Sequence, residues 1–257
     1  MTERTFVSQS TGPVVLGLDL PMGSVHVQVL GSITTARVVL RTDDSSGPAA
    51  DAVNRSRSTQ DGQALAIEVP EVPGNVMMQS VRGNRVTQSM GTVYGSVTGI
   101  TIVNGRINAG GTSVMETVSP IEAVVSLPVG SSLAVVSTTA DASVNGEVDS
   151  LEFRSVSGDL HVDSVRMLVA RTTSGDVSVG RVSETVTVHS VSGDIRVVEY
   201  DGQRAELNTA SGDVTAQATG AASGLVTAHS ISGDIRVSGA GHLRVSADSV
   251  SGRVRTR

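Results

Sequence analysis

Residues 186–197 read Val-Thr-Val-His-Ser-Val-Ser-Gly-Asp-Ile-Arg-Val, and the fold follows from this stretch. Apolar side chains alternate with polar ones up to Val188, a Ser-Gly-Asp triplet follows, and the alternation resumes at Ile195 and Val197. Period-two alternation on both sides of a turn predicts two short strands, each with one buried face. The triplet recurs at Ser157-Gly158-Asp159, Ser174-Gly175-Asp176, Ser192-Gly193-Asp194, Ser211-Gly212-Asp213 and Ser232-Gly233-Asp234. A sixth copy, Ser251-Gly252-Arg253, has the acid replaced. Successive glycines lie 17, 18, 19, 21 and 19 residues apart, and a degenerate copy without Gly occupies Thr138–Val144 one period upstream.

Aligning the copies on Gly gives apolar columns seven and five residues before it, and two and four after it. Leu151, Leu168, Val186, Ala205, Val226 and Val245 form the first; Leu160, Val177, Ile195, Val214, Ile235 and Val254 form the third. Such a two-strand unit cannot bury its own apolar face, whereas stacking the units in parallel makes one continuous core. The chain is therefore read as an all-β, single-stranded parallel β-helix (a β-solenoid) of about 17–21 residues per coil, preceded by an N-terminal β section. The general chirality of parallel crossovers favours a right-handed coil. An antiparallel meander gives no reason for like residues to recur in register.

Corner chemistry follows from the columns beside the triplet. Ser155, Thr172, Ser190, Thr209, Ser230 and Ser249 predict a stacked hydroxyl ladder reaching the next coil. The glycines Gly158, Gly175, Gly193, Gly212, Gly233 and Gly252 are expected as structural turns that supply a positive φ. The aspartates are expected to accept nearby backbone N–H groups as Asx-type turns.

The repeated Ser/Thr-x-Ser-Gly-Asp-Val/Ile/Leu-x-Val pattern resembles the bacterial "putative adhesin" β-strand-repeat family, a domain of unknown function. The resemblance is strongest over residues 120–257 and extends to the Leu16–Leu20 strand. It implies a β-solenoid, no established catalytic residues, and a setting in envelope or stress-response proteins.

Composition removes several function classes. There is no Cys, so there is no disulfide scaffold, thiolate metal site or cysteine nucleophile. Four aromatics (Phe6, Tyr94, Phe153 and Tyr200) are too few for base-stacking platforms, and a formal charge of −6 disfavours polyanion binding. The Met1–Ser10 end lacks the apolar run of a secretory signal, and no uninterrupted apolar stretch suits a membrane span. The expected location is cytoplasmic, peripheral at the envelope through a partner, with no membrane insertion.

Three regions are expected: an N-terminal β section over 1–71, a Gly-rich, acid-free insertion with a hairpin over 72–119, and the solenoid repeats over 120–257, or all three as one continuous domain. In the first, Leu18-Asp19-Leu20-Pro21-Met22-Gly23 echoes Val125-Ser126-Leu127-Pro128-Val129-Gly130. Val38–Leu40 and Leu65–Val69 read as a strand pair, and 43–62 reads as a loop with one helical turn at Ala49–Asn54. In the second, Ile100–Ile107 carries a type I′ hairpin signal at Asn104-Gly105. The remainder, including Met77, Met78, Met90 and Tyr94, reads as a mobile insertion or else a surface for self-association.

Chemical candidates are few. Asp159, Asp176, Asp194, Asp213 and Asp234 would stack about 5 Å apart, where a cation is one reading and turn capping the preferred one. His189 and His229 share a column two coils apart, too far for joint ligation, and His26, His161 and His242 have no evident partners. There is no nucleophile elbow and no phosphate loop. Arg196 and Arg236, with Arg253, Arg255 and Arg257 at the last coil, form a candidate partner surface. The leading expectation is a non-enzymatic scaffold or protein-interaction module, with no catalytic residue, no cofactor and no metal, and with a small-molecule ligand disfavoured. A polysaccharide-binding or polysaccharide-cleaving β-helix and a bactofilin-like end-to-end polymer are the alternatives.

Overall fold

The computed structural model describes residues 1–72, 76–82, 85–90, 100–103, 106–109, 116–239 and 241–257. Two columns of strands run the length of a β-solenoid and share one apolar interior. The first column stacks Ala64–Glu68, Val15–Asp19 and Ser132–Val136, then the C-terminal halves of Asp141–Arg154, Leu160–Thr172 and Val177–Ser192. It continues through Arg204–Ser211, Leu225–Ser232 and Arg244–Ser249, all parallel. The second column stacks Glu122–Pro128, Ser24–Leu30, the N-terminal halves of the same three long strands, Ile195–Tyr200, Val214–Ala218, Ile235–Ser238 and Val254–Thr256. The register is the one the Gly-aligned columns require: Leu151 opposes Leu168, and Leu160 opposes Val177.

Each coil has two corners. At the first, a Cβ on any of the six corner glycines would lie 1.9–2.3 Å from the carbonyl oxygen one coil back, for example Gly193 against Gly175. That close approach, and not a positive φ, is why Gly is required. Of the six only Gly212 has a positive φ, and at 155° it is close to extended backbone. At the opposite bend the strand passes from one column to the other, and a further buried column appears: Val148, Val165, Val182, Tyr200 and Ala218. Period-two reading skips it, because Val165 stands three residues from both Val162 and Leu168.

The N-terminal section is woven into the stack. Val15–Asp19 lies between Ala64–Glu68 and Ser132–Val136, and Ser24–Leu30 lies between Glu122–Pro128 and Asp141–Asn145. The two Pro-x-Gly echoes occupy opposite corners. Pro21–Gly23 sits at the glycine corner, where the Thr138 and Thr139 N–H groups donate to the Pro21 carbonyl; Pro128–Gly130 sits at the bend. Nor do Val38–Leu40 and Leu65–Val69 pair with each other. Arg37–Thr42 joins the second column antiparallel to Glu122–Ser126, while Ala64–Glu68 joins the first. Residues 43–62 cross the end of the solenoid between them as two turns of helix, Pro48–Arg55, and an exposed polar strand, Arg57–Asp61. The helix buries Ala49, Ala50, Ala52 and Val53, and the antiparallel strands Thr2–Val7 and Arg57–Asp61 complete this end. Helix and antiparallel strands together cap it.

Within 72–119, Val76–Arg82 and Arg85–Met90 pair antiparallel, Glu116–Val118 runs parallel to Val76–Met78, and Ile100–Val103 pairs with Arg106–Ala109 as a hairpin. Tyr94 and the Asn104–Gly105 turn lie outside the described residues.

Tyr200 is 1% exposed, and among the described residues its buried hydroxyl has no hydrogen-bond partner. Ala205, Ala216 and Ala218 beside it make room for the ring, and burial pushes its phenol well above the ordinary value. Tyr200→Ala should cost about 3–5 kcal/mol through the cavity it leaves. Tyr200→Phe should hold or raise stability, because it removes an unpaired hydroxyl worth about 1–3 kcal/mol of desolvation. Urea-unfolding midpoints check both, and a clear loss in the Phe variant would contradict the packing described.

Candidate functional site

The glycine corner carries the densest polar chemistry. Asp141 Oδ1 accepts the N–H of Asp159 at 2.9 Å, Asp159 that of Asp176 at 2.9 Å, and Asp176 that of Asp194 at 2.8 Å. Asp194 accepts from Asp213 at 2.8 Å, Asp213 from Asp234 at 2.7 Å, and Asp234 from Arg253 at 2.9 Å. The ladder is continuous through seven layers. Each carboxylate binds the backbone of the next coil, so the Asx-turn expectation is corrected: the bonds are between coils, not local. Residue spacing did not reveal this, because the partner N–H is about one coil away in sequence.

The hydroxyl column works backwards along the stack. Thr209, Ser230 and Ser249 donate to the carbonyls of Gly193, Gly212 and Gly233, and Ser155 accepts the Gly158 N–H at 2.8 Å. The expected reach to the next coil is thus reversed, and the buried Thr172 and Ser190 hydroxyls have no partner among the described residues.

Beside the first rungs lies an open groove of about 290 Å³ lined by His26, Asp141, Ser143, Asp159, His161, Asp176 and Ser178. His26 Nδ1 and Ser143 Oγ are 3.0 Å apart, and His161 Nε2 is 3.9 Å from Asp163, so both imidazoles have neighbours that the sequence did not indicate. His242 Nε2 lies 2.9 Å from the Ala222 carbonyl, and Asn208 separates His189 from His229. Burial raises the Asp141 carboxyl above the ordinary aspartate value, as does the nearby Asp159 carboxylate, while the Asp159 N–H pulls it down. Among the described residues no three carboxylates or imidazoles converge as a metal site.

Further along the same face the outward column continues from Ser178 as Arg196, Thr215, Arg236 and Arg255. At the opposite bend the Arg166 guanidinium forks onto Asp149 at 2.7 and 2.9 Å and reaches Glu184, joining three coils. Arg181 binds Asp201, which also accepts the Thr219 hydroxyl.

One surface feature breaks the alternation. Two residues before each corner Gly stand Val156, Thr173, Val191, Ala210, Ile231 and Val250. Val156, Val191 and Ile231 are 51, 54 and 59% exposed, and Val250 77%. With layers about 4.8 Å apart, they form an aliphatic ridge about 24 Å long. The signal was present in the sequence, as apolar residues on the outward side of the hydroxyl column.

The family profile described as Toastrack DUF4097 matches residues 48–255. This chain belongs to the Toastrack DUF4097 family. The match takes in the capping helix as well as every repeat, a wider span than 120–257. No curated protein matches the chain. Among solved structures, a "putative adhesin" from Bacteroides fragilis is similar at TM-score 0.55 and 14% identity, covering 100% of this chain and 97% of its own. A "putative lipid binding protein" from Parabacteroides distasonis gives TM-score 0.45 and 12% identity, with 100% and 97% covered. The first likeness is one of fold.

Two predictions follow from the polar columns of this Toastrack chain. Asp176→Asn keeps the Oδ1 acceptor and relieves like-charge repulsion, so stability should hold or rise, whereas Asp176→Ala should lose about 1–3 kcal/mol with the orphaned Asp194 N–H. Thermal unfolding reads both, and a calcium-induced rise in Tm abolished by Asp176→Asn would overturn the capping role. Separately, the fork from Arg166 holds the Asp149 carboxyl below the ordinary value, and the Thr219 hydroxyl and Arg181 do the same for Asp201. Depressed carboxyls contribute stability that is complete above about pH 4 and is lost as pH falls through the folded value. Arg166→Met should therefore flatten the acid limb of a stability–pH curve, read from urea midpoints between pH 6 and pH 2.

Proposed function

We propose that this Toastrack chain is a non-enzymatic β-solenoid scaffold, a protein-interaction module that presents a rigid aliphatic ridge to a protein partner. The ridge of Val156, Val191, Ile231 and Val250 carries the reading. Aligned exposed aliphatic side chains mark binding surfaces, and here they sit on a corner that the Asp ladder and the close glycine stack hold rigid. The acids at that corner have structural work: one oxygen of each carboxylate from Asp141 to Asp234 is committed to the next layer. Envelope or stress association through a partner is proposed from the family resemblance, in line with the adhesin description of the Bacteroides fragilis protein. Against a bactofilin-like polymer stands the N-terminal end, where the helix and the antiparallel pairing of Thr2–Val7 and Arg57–Asp61 interrupt the parallel ladder that end-to-end stacking would continue.

The groove around Asp141, Asp159, Asp176, His26 and His161 supports a second reading, polysaccharide binding or cleavage. Against it, among the described residues no Trp, Tyr or Phe lines the groove to give a sugar a stacking platform.

The ridge is tested by comparing the full chain with Val191→Asp/Ile231→Asp as immobilised bait in extract of the native cell, with mass spectrometry of what is retained. The expected outcome is a specific protein lost by the variant while its thermal midpoint stays unchanged. Equal retention by both baits would refute the ridge. Glycan-array binding or uronate release that Asp159→Asn/His161→Ala abolishes would move the assignment to the groove.

A further inference from the structure

The two ends of the solenoid are built differently. The N-terminal end carries the helix and antiparallel strands, whereas the C-terminal end presents the parallel strands Arg244–Ser249 and Val254–Thr256. Among the described residues no strand pairs with their outer edges, so a row of backbone N–H and C=O groups faces outward. The inward column is uncovered too. Ile235 is 1% exposed, but Val254, its equivalent one coil on, is 40% exposed, and Val245 and Ala247 are only half-buried where Val226 and Ala228 are fully buried.

Charge at this edge changes sign. The corner column runs as six aspartates from Asp141 to Asp234 and then becomes Arg253, whose N–H still donates to Asp234 but whose side chain offers no carboxylate onward. Arg253, Arg255 and Arg257 alternate on the outward side of the last strand, with Arg236 behind Arg255, and all three are exposed. An added strand would lie about 4.8 Å away, with its outward side chains directly over these guanidiniums.

We propose that the Val254–Thr256 edge takes up an extended strand of a partner protein by β-augmentation. The strand is acidic at its outward positions and carries small aliphatic residues at its inward ones. Main-chain bonds supply affinity in this mode and alternate side chains supply specificity. Aspartate or glutamate over Arg253, Arg255 and Arg257 makes charge-assisted, forked contacts. Valine or alanine on the other side covers Val254 and continues the core by one layer. A second copy of this chain does not meet the requirement. Tail to tail, arginines oppose arginines; head to tail, the facing strands Thr2–Val7 and Arg57–Asp61 carry one acid and one arginine each, Glu3 with Arg4 and Asp61 with Arg57, and so offer no acidic row. The proposal rests on the interaction reading above for its biological role but not for the binding itself, since the ridge residues that test that reading, Val191 and Ile231, lie in earlier coils than the edge.

The test is fluorescence anisotropy of the full chain with a labelled peptide of alternating Asp and Val, against a Lys/Val peptide of the same length. The acidic peptide should bind, more weakly as salt rises, and the basic one should not. Arg253→Glu/Arg255→Glu/Arg257→Glu should weaken the acidic peptide at least tenfold and leave thermal stability unchanged. The Arg253 carbonyl and the Arg257 N–H face the previous coil, so the outward N–H groups are those of Val254 and Thr256. Thr256→Pro, which removes one of these outward N–H groups, should weaken it with all three arginines intact. Equal binding of both peptides, binding that survives the triple charge reversal, or a salt-insensitive dimer by light scattering would overturn the proposal. Val191→Asp/Ile231→Asp should leave peptide binding untouched, so failure at the ridge and failure at the edge are read separately.

Discussion

Everything in this molecule hangs on how closely one coil can lie on the next at the glycine corner. A carbonyl oxygen of each coil occupies the space where a Cβ of the following corner residue would stand. That approach brings each aspartate within hydrogen-bond reach of the backbone N–H one layer on, and the Oδ1–H–N ladder then locks the corner from Asp141 to Arg253. Parallel strands contribute evenly spaced but slanted backbone bonds. The side-chain ladder adds a second line of bonds parallel to the solenoid axis, where a turn would otherwise leave N–H groups unpaired.

Holding the corner this tightly has consequences inside and outside. Inside, the interior is narrow, and Val, Leu, Ile and Ala fill it in layers; Ala205, Ala216 and Ala218 leave room for the Tyr200 ring among valines and Leu207. Outside, a column of like-charged carboxylates runs along one face, each spending one oxygen on the N–H of the next layer. The opposite bend answers it with mixed charge: Arg166 bridges Asp149 and Glu184 across three coils, and Arg181 holds Asp201. The molecule is thus clamped along both corners, by carboxylate-to-backbone bonds at one and by ion pairs at the other.

The solenoid and its register were legible because a coil repeats its chemistry at nearly fixed spacing, so like residues align before any contact is known. Legibility failed wherever the chain left that period. The column Val148, Val165, Val182, Tyr200 and Ala218 lies at a bend, where the three-residue step belongs to neither strand pattern. Arg37–Thr42 and Ala64–Glu68 look like hairpin partners in sequence, yet the helix between them carries the chain across the end of the stack to the other column. The polar strand Arg57–Asp61 has no apolar pattern to announce it, since its bonds are to a neighbouring strand and its side chains are mostly solvated. Of the candidate site, the Asp column, the arginines and the apolar residues of the ridge were visible as residue types; the direction of the carboxylate bonds was not, because their partners lie one coil away in the chain.

The sequence by itself determined the repeat, the inward columns and the identity of the corner residues, because each is a property of local period and side-chain size. Tertiary structure alone decided why glycine is needed, since the obstacle is a carbonyl 17–21 residues away in the chain and not the residue's own torsion. It also decided which end of the stack is closed. Closure depends on where the helix and the antiparallel strands pack after the chain has folded back on itself, and no period in the sequence encodes that return.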